Sequence, residues 1–205
     1  MNKINYQKVL EKIIEDNVKA GIRPSLMLHA CCAPCSSYVL EYLSQYFDIT
    51  IVFYNPNICG IDEYNHRAEE LKRFVLEMNF TNPVNVEIEE YSPDEFYQAV
   101  KGLEDAKEGG SRCFICYEQR MRYAALMALN KYDYFATTLT ISPLKNAQKI
   151  NEIGKKLEDE LGVKYLYSDF KKKNGYKRSI ELSKEYDLYR QNFCGCEFSK
   201  RNIDN

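Results

Sequence analysis

The sequence predicts an α/β fold: a doubly wound, mostly parallel five-stranded sheet of Rossmann-like arrangement, with a cysteine-bearing C-terminal tail. Two observations predict it. Five short apolar runs alternate with segments of helical periodicity, which is the pattern of a parallel sheet covered on both faces. Unusual polar and thiol-bearing residues follow four of those runs, at the end where an open parallel sheet binds its ligands. Right-handed crossovers between successive strands leave few other arrangements.

Ile4, Val9, Leu10, Ile13, Ile14 and Val18 recur at helical spacing. Residues 1–22 are therefore expected to hold an amphipathic helix reaching about Lys19, ended by Gly21 and Pro24. Ser25–His29 (SLMLH) reads as a buried first strand. Helical periodicity resumes after Pro34, through Val39, Leu40, Leu43 and Phe47. Ile49–Tyr54 (ITIVFY) is the second strand, stopped by Asn55-Pro56-Asn57. Residues 62–78 place Tyr64, Ala68, Leu71, Phe74, Val75 and Met78 on one helical face, and Val84–Ile88 alternates like a third strand. Ser92-Pro93-Asp94-Glu95 has the chemistry of a helix start. A polar stretch closed by Gly109-Gly110 leads into a helix over Cys113–Leu129. Tyr134–Thr138 is the fourth strand. Ser142-Pro143 precedes a helix carrying Ile150, Ile153, Leu157 and Leu161, and Lys164–Tyr167 is the fifth strand. Residues 170–205 form a polar, partly helical segment expected to complete the site. The whole of 1–205 reads as one α/β domain.

With 205 residues and 45% hydrophobic content, the chain can bury one core without disulfide staples. A formal charge of −2 argues against wholesale electrostatic capture of nucleic acid and leaves room for a local basic patch. Charges interrupt MNKINYQKVLEKIIEDNVKAG throughout, so no secretory signal or membrane span is expected, and the expected address is cytoplasmic. Eight cysteines in a reducing compartment then point to metal binding or thiol redox chemistry rather than structural disulfides.

Seven of the eight fall in three groups: CCxxC at 31–35, CxxC at 113–116 and CxC at 194–196. Closely spaced thiolates bind soft metals. Spacing admits a four-iron cluster, structural zinc, or dithiol chemistry without metal. Adjacent Cys31 and Cys32 suit different irons of one cube and are awkward on one tetrahedral ion. Cys194 and Cys196 can cycle between dithiol and disulfide, or hold a second metal ion with help from Asp169. Cys35 reads as a buried small hydrophobe on the helix starting near Pro34, and Cys59 as incidental. Asn55 and Asn57, Thr137 and Thr138, and Ser168 and Asp169 follow strands two, four and five. Asp133 lies at an amino end and reads as structural.

LHACCAPCSS (28–37), YNPNI (54–58), EYNHR (63–67), GGSRCFICYEQRM (109–121), FATTLTISPLKN (135–146) and SDFKKKNGYKRSIELSKEYDLYRQNFCGCEFS (168–199) together resemble the QueH-type epoxyqueuosine reductases, over nearly the whole chain from residue 28. The resemblance implies a fold related to the adenine-nucleotide alpha-hydrolase group. It implies the last step of queuosine biosynthesis: at the tRNA wobble position, an epoxide on the cyclopentane ring of a modified guanosine is reduced to the cyclopentene. It also implies a 4Fe-4S cluster on Cys31, Cys32, Cys113 and Cys116, and a redox-active pair at Cys194 and Cys196. An additional mononuclear iron with Cys and Asp ligands belongs to the same pattern, with Asp169 the Asp that topology selects. The implied partners are tRNA containing epoxyqueuosine and an electron donor, with no membrane. His29-Ala30-Cys31-Cys32-Ala33-Pro34-Cys35 stands where relatives of the fold carry a glycine-rich phosphate loop, so no ATP dependence is expected. The competing readings are a zinc-stabilised RNA-binding domain without catalysis and a metal-free thiol–disulfide oxidoreductase.

Epoxide removal takes two electrons and two protons. Asp169, Tyr117 or a metal-bound water are the candidate proton donors. Lys171, Lys172, Lys173, Lys177 and Arg178 form the densest basic run and, with Lys145, Arg112 and Arg190, are candidates to line the entrance against RNA phosphates. Asn55, Asn57, Thr137 and Thr138 can bind the ring hydroxyls or cap neighbouring helices. Tyr117, Tyr186 and Tyr189 can stack on bases or simply pack. His29 reads equally as a site residue or a satisfied core histidine, and His66 and Arg67 as surface groups.

Overall fold

A computed structural model describes residues 4–200; the ends of the expected N-terminal helix (1–3) and C-terminal segment (201–205) lie outside the described residues. Strands β1 (Ser25–His29), β2 (Asp48–Phe53), β3 (Val84–Ile88), β4 (Tyr134–Thr137) and β5 (Lys164–Tyr165) form one sheet in the order β3-β2-β1-β4-β5. All four pairings are parallel. The sheet is thus wholly parallel rather than mostly so, and the chain reverses its winding direction between β1 and β4. That switch point opens the crevice in which such sheets take ligands.

Helices cover both faces because the strands alternate two apolar sets. Leu26 and Leu28 of β1 point to one core with Leu10 and Ile14 of α1 (Tyr6–Lys19), Val39 and Leu40 of α2 (Ala33–Leu43), and Leu71 and Phe74 of α3 (Ile61–Glu77). Met27 points the other way. It packs with Met121, Ala124 and Ala125 of α5 (Ser111–Ala128) and with Ile150, Ile153 and Leu157 of α6 (Ala147–Leu161). Short α4 (Pro93–Ala99) contributes Phe96 to a third cluster, with Cys116, Cys196 and Phe198. The tail folds as α7 (Gly175–Glu185), docked on α2, and α8 (Glu197–Lys200).

The helix after Ser142-Pro143 starts as expected beyond the proline: Asn146 Oδ1 accepts from the Lys149 amide at 3.1 Å and caps α6. Boundaries moved where side-chain caps overrule apolar periodicity. Thr137 Oγ1 accepts from the Leu139 amide at 3.2 Å and turns Thr138–Ile141 into a 3-10 helix, so Thr138 leaves the strand. β5 is two residues long, because Leu166 is the last residue to hydrogen-bond across to β4.

Asp133 is structural, as its position predicts. Its Oδ2 accepts both the amide and the hydroxyl of Ser25 at 2.8 Å, tying the amino ends of β1 and β4. The Ser25 amide, then its hydroxyl, lowers the carboxyl pKa. A depressed folded pKa contributes stability above the unfolded value, near 3.9, and that contribution is lost as pH falls through the folded pKa. Asp133→Ala is expected to cost about 1 kcal/mol at pH 7, discounted for exposure. Urea midpoints of the two proteins are expected to converge below about pH 4.

Candidate functional site

The carboxyl edge of the sheet carries a thiol wall. β1 ends at His29, and the chain passes through Ala30 into Cys31 and Cys32. Cys32 is extended (φ −176°) and caps α2, whose first turn holds Pro34 and Cys35. This tight entry brings the sulfurs of Cys31, Cys32 and Cys35 within 4.8 Å of one another, with Cys31 and Cys32 at 3.8 Å. Cys35 therefore differs from its reading as an inward small hydrophobe. It packs against both cores yet also lines the cavity with Cys31, because the first helical turn returns residue 35 to the side of its N-terminal neighbours.

Beside this trio lies a cavity of about 440 Å³. Cys113 of α5 and Cys194 of the tail share its wall with Cys31 and Cys35. A smaller void of about 10 Å³ adjoins it, bordered by Cys113, Cys116, Cys194 and Cys196. The structure thus brings together all three cysteine groups. Cys116 and Cys196 are buried behind Cys113 and Cys194. The Gly109 amide donates to Cys113 Sγ at 3.2 Å, so the loop before α5 orients that sulfur.

One thiolate is favoured within the trio. Hydrogen bonds from the Cys32 and Cys35 thiols hold Cys31 well below the usual thiol range. Cys31 in turn pushes Cys32 up to about 12 and raises Cys35. The amino end of α2 favours the same negative charge. Burial pushes Cys116 up to about 12. Two cations face these sulfurs. Burial opposes charge on Lys145, and the nearby Cys194, Cys31 and Cys35 outweigh it and raise its pKa. Arg120 is 1% exposed; burial again opposes its charge, and Cys116, Cys194 and Cys31 raise its pKa.

Of the residues expected to meet ligand, Lys145 and Arg190 line the larger cavity and Arg112 the smaller one. Arg112 is committed to the loop before α5, donating to the carbonyls of Leu103, Glu104 and Ala106. Thr138 Oγ1 lies 3.8 Å from Cys31 Sγ, while Thr137 caps the 3-10 helix. Asn55 is spent inside: its Nδ2 donates to the Ala30 carbonyl at 2.8 Å. Asn57 borders the small void, and its Oδ1 is buried without a partner among the described residues. Asp169 pairs with Lys171 at 3.0 Å and lies outside both cavity walls. Lys172 is exposed. Arg178 grips both carboxylate oxygens of Glu41, which docks α7 on α2. Tyr117 lines the larger cavity, whereas Tyr186 packs on Phe74 and Tyr189 on His66. His29 is a satisfied core histidine, between Thr137 Oγ1 at 2.9 Å and the Tyr54 carbonyl at 3.2 Å.

Arg67 is not a surface group. It is 2% exposed, is paired with Glu63, and donates from Nη1 to the Cys194 carbonyl at 3.3 Å. Its guanidinium also lies over the Phe193 ring. The signal was present: Arg67 falls on the Tyr64–Ala68–Leu71–Phe74 face of α3, which must be buried. Cys59 reaches the same loop through its backbone, donating to the Gly195 carbonyl at 2.8 Å.

A doubly wound parallel sheet with a thiol wall and two cations beside it at the switch point defines a class: an α/β scaffold whose clustered cysteines could hold a metal ion. Comparison of the whole chain narrows the class. The profile described as epoxyqueuosine reductase QueH matches residues 26–202, and the chain belongs to that family. It is 49% identical over 209 residues to the epoxyqueuosine reductase QueH of Staphylococcus epidermidis, covering 98% of this chain and 88% of the relative. Identity to the protein of the same name from Staphylococcus aureus is 48% over 202 residues, covering 96% and 84%. For Streptococcus pyogenes it is 46% over 202 residues, covering 97% and 79%.

Proposed function

We propose that this chain is an iron–sulfur epoxyqueuosine reductase acting on tRNA, with a 4Fe-4S cluster held by Cys31, Cys32, Cys113 and Cys116. The observation that carries the reading is the convergence of Cys31 and Cys113, from opposite sides of the switch point, on one cavity that Cys194 also borders. The donor set fits the group. Thiolates are the ligands of such clusters, and the buried Arg120 and half-buried Lys145 supply positive charge beside an anionic metal–thiolate centre. A single tetrahedral ion with metal–sulfur bonds of about 2.3 Å would take sulfurs about 3.8 Å apart, the spacing of Cys31 and Cys32, so the competing zinc reading rests on that trio and metal and sulfide analysis separates the two. Cys194 and Cys196 serve as a redox pair or as ligands of an additional iron, which Asp169 could join only by leaving Lys171. The bound metal supplies single electrons and a Lewis-acidic position.

The chain's own residues do the rest. Two electrons and two protons convert an epoxide to an alkene and water: both C–O bonds break and a C=C bond forms. Tyr117 lines the cavity, and burial raises its pKa, so its phenol keeps its proton at neutral pH and is the proposed donor to the departing oxygen. Asp169, tied to Lys171 outside the cavity walls, is the less direct donor. Lys145 and Arg190 on the cavity wall, with the 82%-exposed Leu144 beside them, present charge and apolar surface to an anticodon loop. No helix among the described residues is long and apolar enough to cross a membrane; the proposed setting is the cytoplasm, with an electron donor still to be identified.

The test is anaerobic turnover of epoxyqueuosine-containing tRNA with a chemical reductant, followed by mass analysis of the released nucleosides. The expected result is a nucleoside lighter by one oxygen. Unchanged substrate with iron-loaded protein would overturn the reading. Affinity for the tRNA is expected to fall as salt rises.

A further inference from the structure

Arg120 is held by an unusual bracket. Its Nε donates to the Cys116 carbonyl at 3.2 Å and its Nη1 to Asn55 Oδ1 at 3.4 Å. Asn55 is fixed in turn by the Ala30 carbonyl and by His29 Nε2, at 2.8 and 3.3 Å. Backbone and side chains from the ends of β1, β2 and β4, together with α5, therefore aim one guanidinium. Its Nη2 is buried and has no partner among the described residues.

Arg120 borders both the larger cavity and the small void, so all three cysteine groups lie around it. A buried cation with an idle N–H is costly unless an anion accepts it. The one carboxylate among the lining residues, Glu108, is exposed at the rim. The sulfurs are what lies inward. Hydrogen bonds and fixed charge at the sulfurs of a metal centre set how readily it accepts an electron.

We propose that Arg120 is a catalytic residue of this centre: its free Nη2 donates to metal-bound sulfur, and its fixed charge stabilises the reduced state. This rests on the iron–sulfur reading. Asn55 and His29 are positioning residues, which explains why their polar atoms are spent on one another rather than on substrate. Reduction places additional negative charge beside a cation that needs no reorganisation to receive it.

The experiment is an anaerobic equilibrium redox titration, followed by visible absorption, of wild-type holoprotein, Arg120→Lys and Arg120→Met, with iron and sulfide measured in each. The midpoint is expected to fall in the order wild type, Arg120→Lys, Arg120→Met. In the turnover assay kcat falls about tenfold or more in Arg120→Met, while KM for tRNA moves less than about twofold. Fully loaded Arg120→Met titrating at the wild-type midpoint would overturn the inference. If Arg120→Met does not accumulate, Arg120→Lys and Arg120→Gln decide: a higher midpoint for the lysine variant supports the inference, and equal midpoints overturn it. Wild-type protein without iron would instead overturn the iron–sulfur reading itself.

Discussion

Cys31→Ala and Cys113→Ala are each expected to lose the brown colour of the anaerobic protein and essentially all turnover, while the fold survives. Both residues sit at the edge of the core that Met27 and Met121 share, Cys31 within it and Cys113 packed against it. Cys31 follows the short link between β1 and α2, and its sulfur lies 3.8 Å from both the Cys32 sulfur and the Thr138 hydroxyl, with Cys35 close by. Cys113 meets the Gly109 amide at 3.2 Å from a half-exposed position in the first turn of α5. Removing one sulfur from either site costs roughly 1 kcal/mol of packing, which a thermal melt of the metal-free variants would register as a shift of a few degrees. On the proposed ligand set, losing one of the four thiolates would by contrast remove an anchor of the cluster. Iron content, the visible spectrum and turnover check the prediction together. Full activity in colourless Cys31→Ala protein would contradict the ligand assignment.

Gly195→Ala is expected to lower turnover about a hundredfold while leaving cluster colour intact. Gly195 sits between the two tail cysteines at φ +116°, a conformation that L side chains rarely adopt. A Cβ there would stand 3.1 Å from Arg67 Nη1 and 3.3 Å from Ile58 Cγ1. Arg67 is the group that holds the Cys194 carbonyl, and the Cys59 amide holds Gly195 itself. The methyl therefore strains the backbone, by about 1–3 kcal/mol, and displaces the anchor in the same stroke. The strain falls on the tail pair, whereas the proposed cluster ligands stand on β1–α2 and α5, apart from Gly195. A displacement of about 1 Å in a reacting group is enough for the loss stated. Single-turnover kinetics with iron-loaded protein would check it, and wild-type rates would show that the tail pair is dispensable.

The sequence carried the sheet and the thiol wall because both are written in local pattern. Apolar runs such as SLMLH and ITIVFY can bury both faces only at the centre of a parallel sheet, and β1 and β2 occupy that position. Once strand ends are placed, the topology carries Cys31, Asn55 and Thr137 to one edge without further information. What stayed hidden were long-range polar pairings. Arg178 stands in a lysine-rich run that resembles a phosphate patch, yet Glu41 takes its guanidinium, and no local rule links those two positions. Arg67 was masked by its charge, although its helical phase placed it inward. Arg120 follows Cys113, Cys116 and Tyr117 on one face of α5, so the same phase argument extends the thiol-bearing stripe to a cation. Cys35 was misjudged for the opposite reason: its helical phase suits the core, but the first turn of α2 also faces the cavity. Asp169 lies after β5 as topology predicts, yet its pairing with Lys171 depends on the local turn of the chain, which strand order does not specify.

Metal and sulfide analysis of the anaerobically purified wild-type chain tests the central claim most directly. The account predicts about four irons and four acid-labile sulfides per chain, with up to one further iron, and a visible absorbance that bleaches on reduction. One zinc per chain with no sulfide, or intact thiols with no stoichiometric metal, would contradict it.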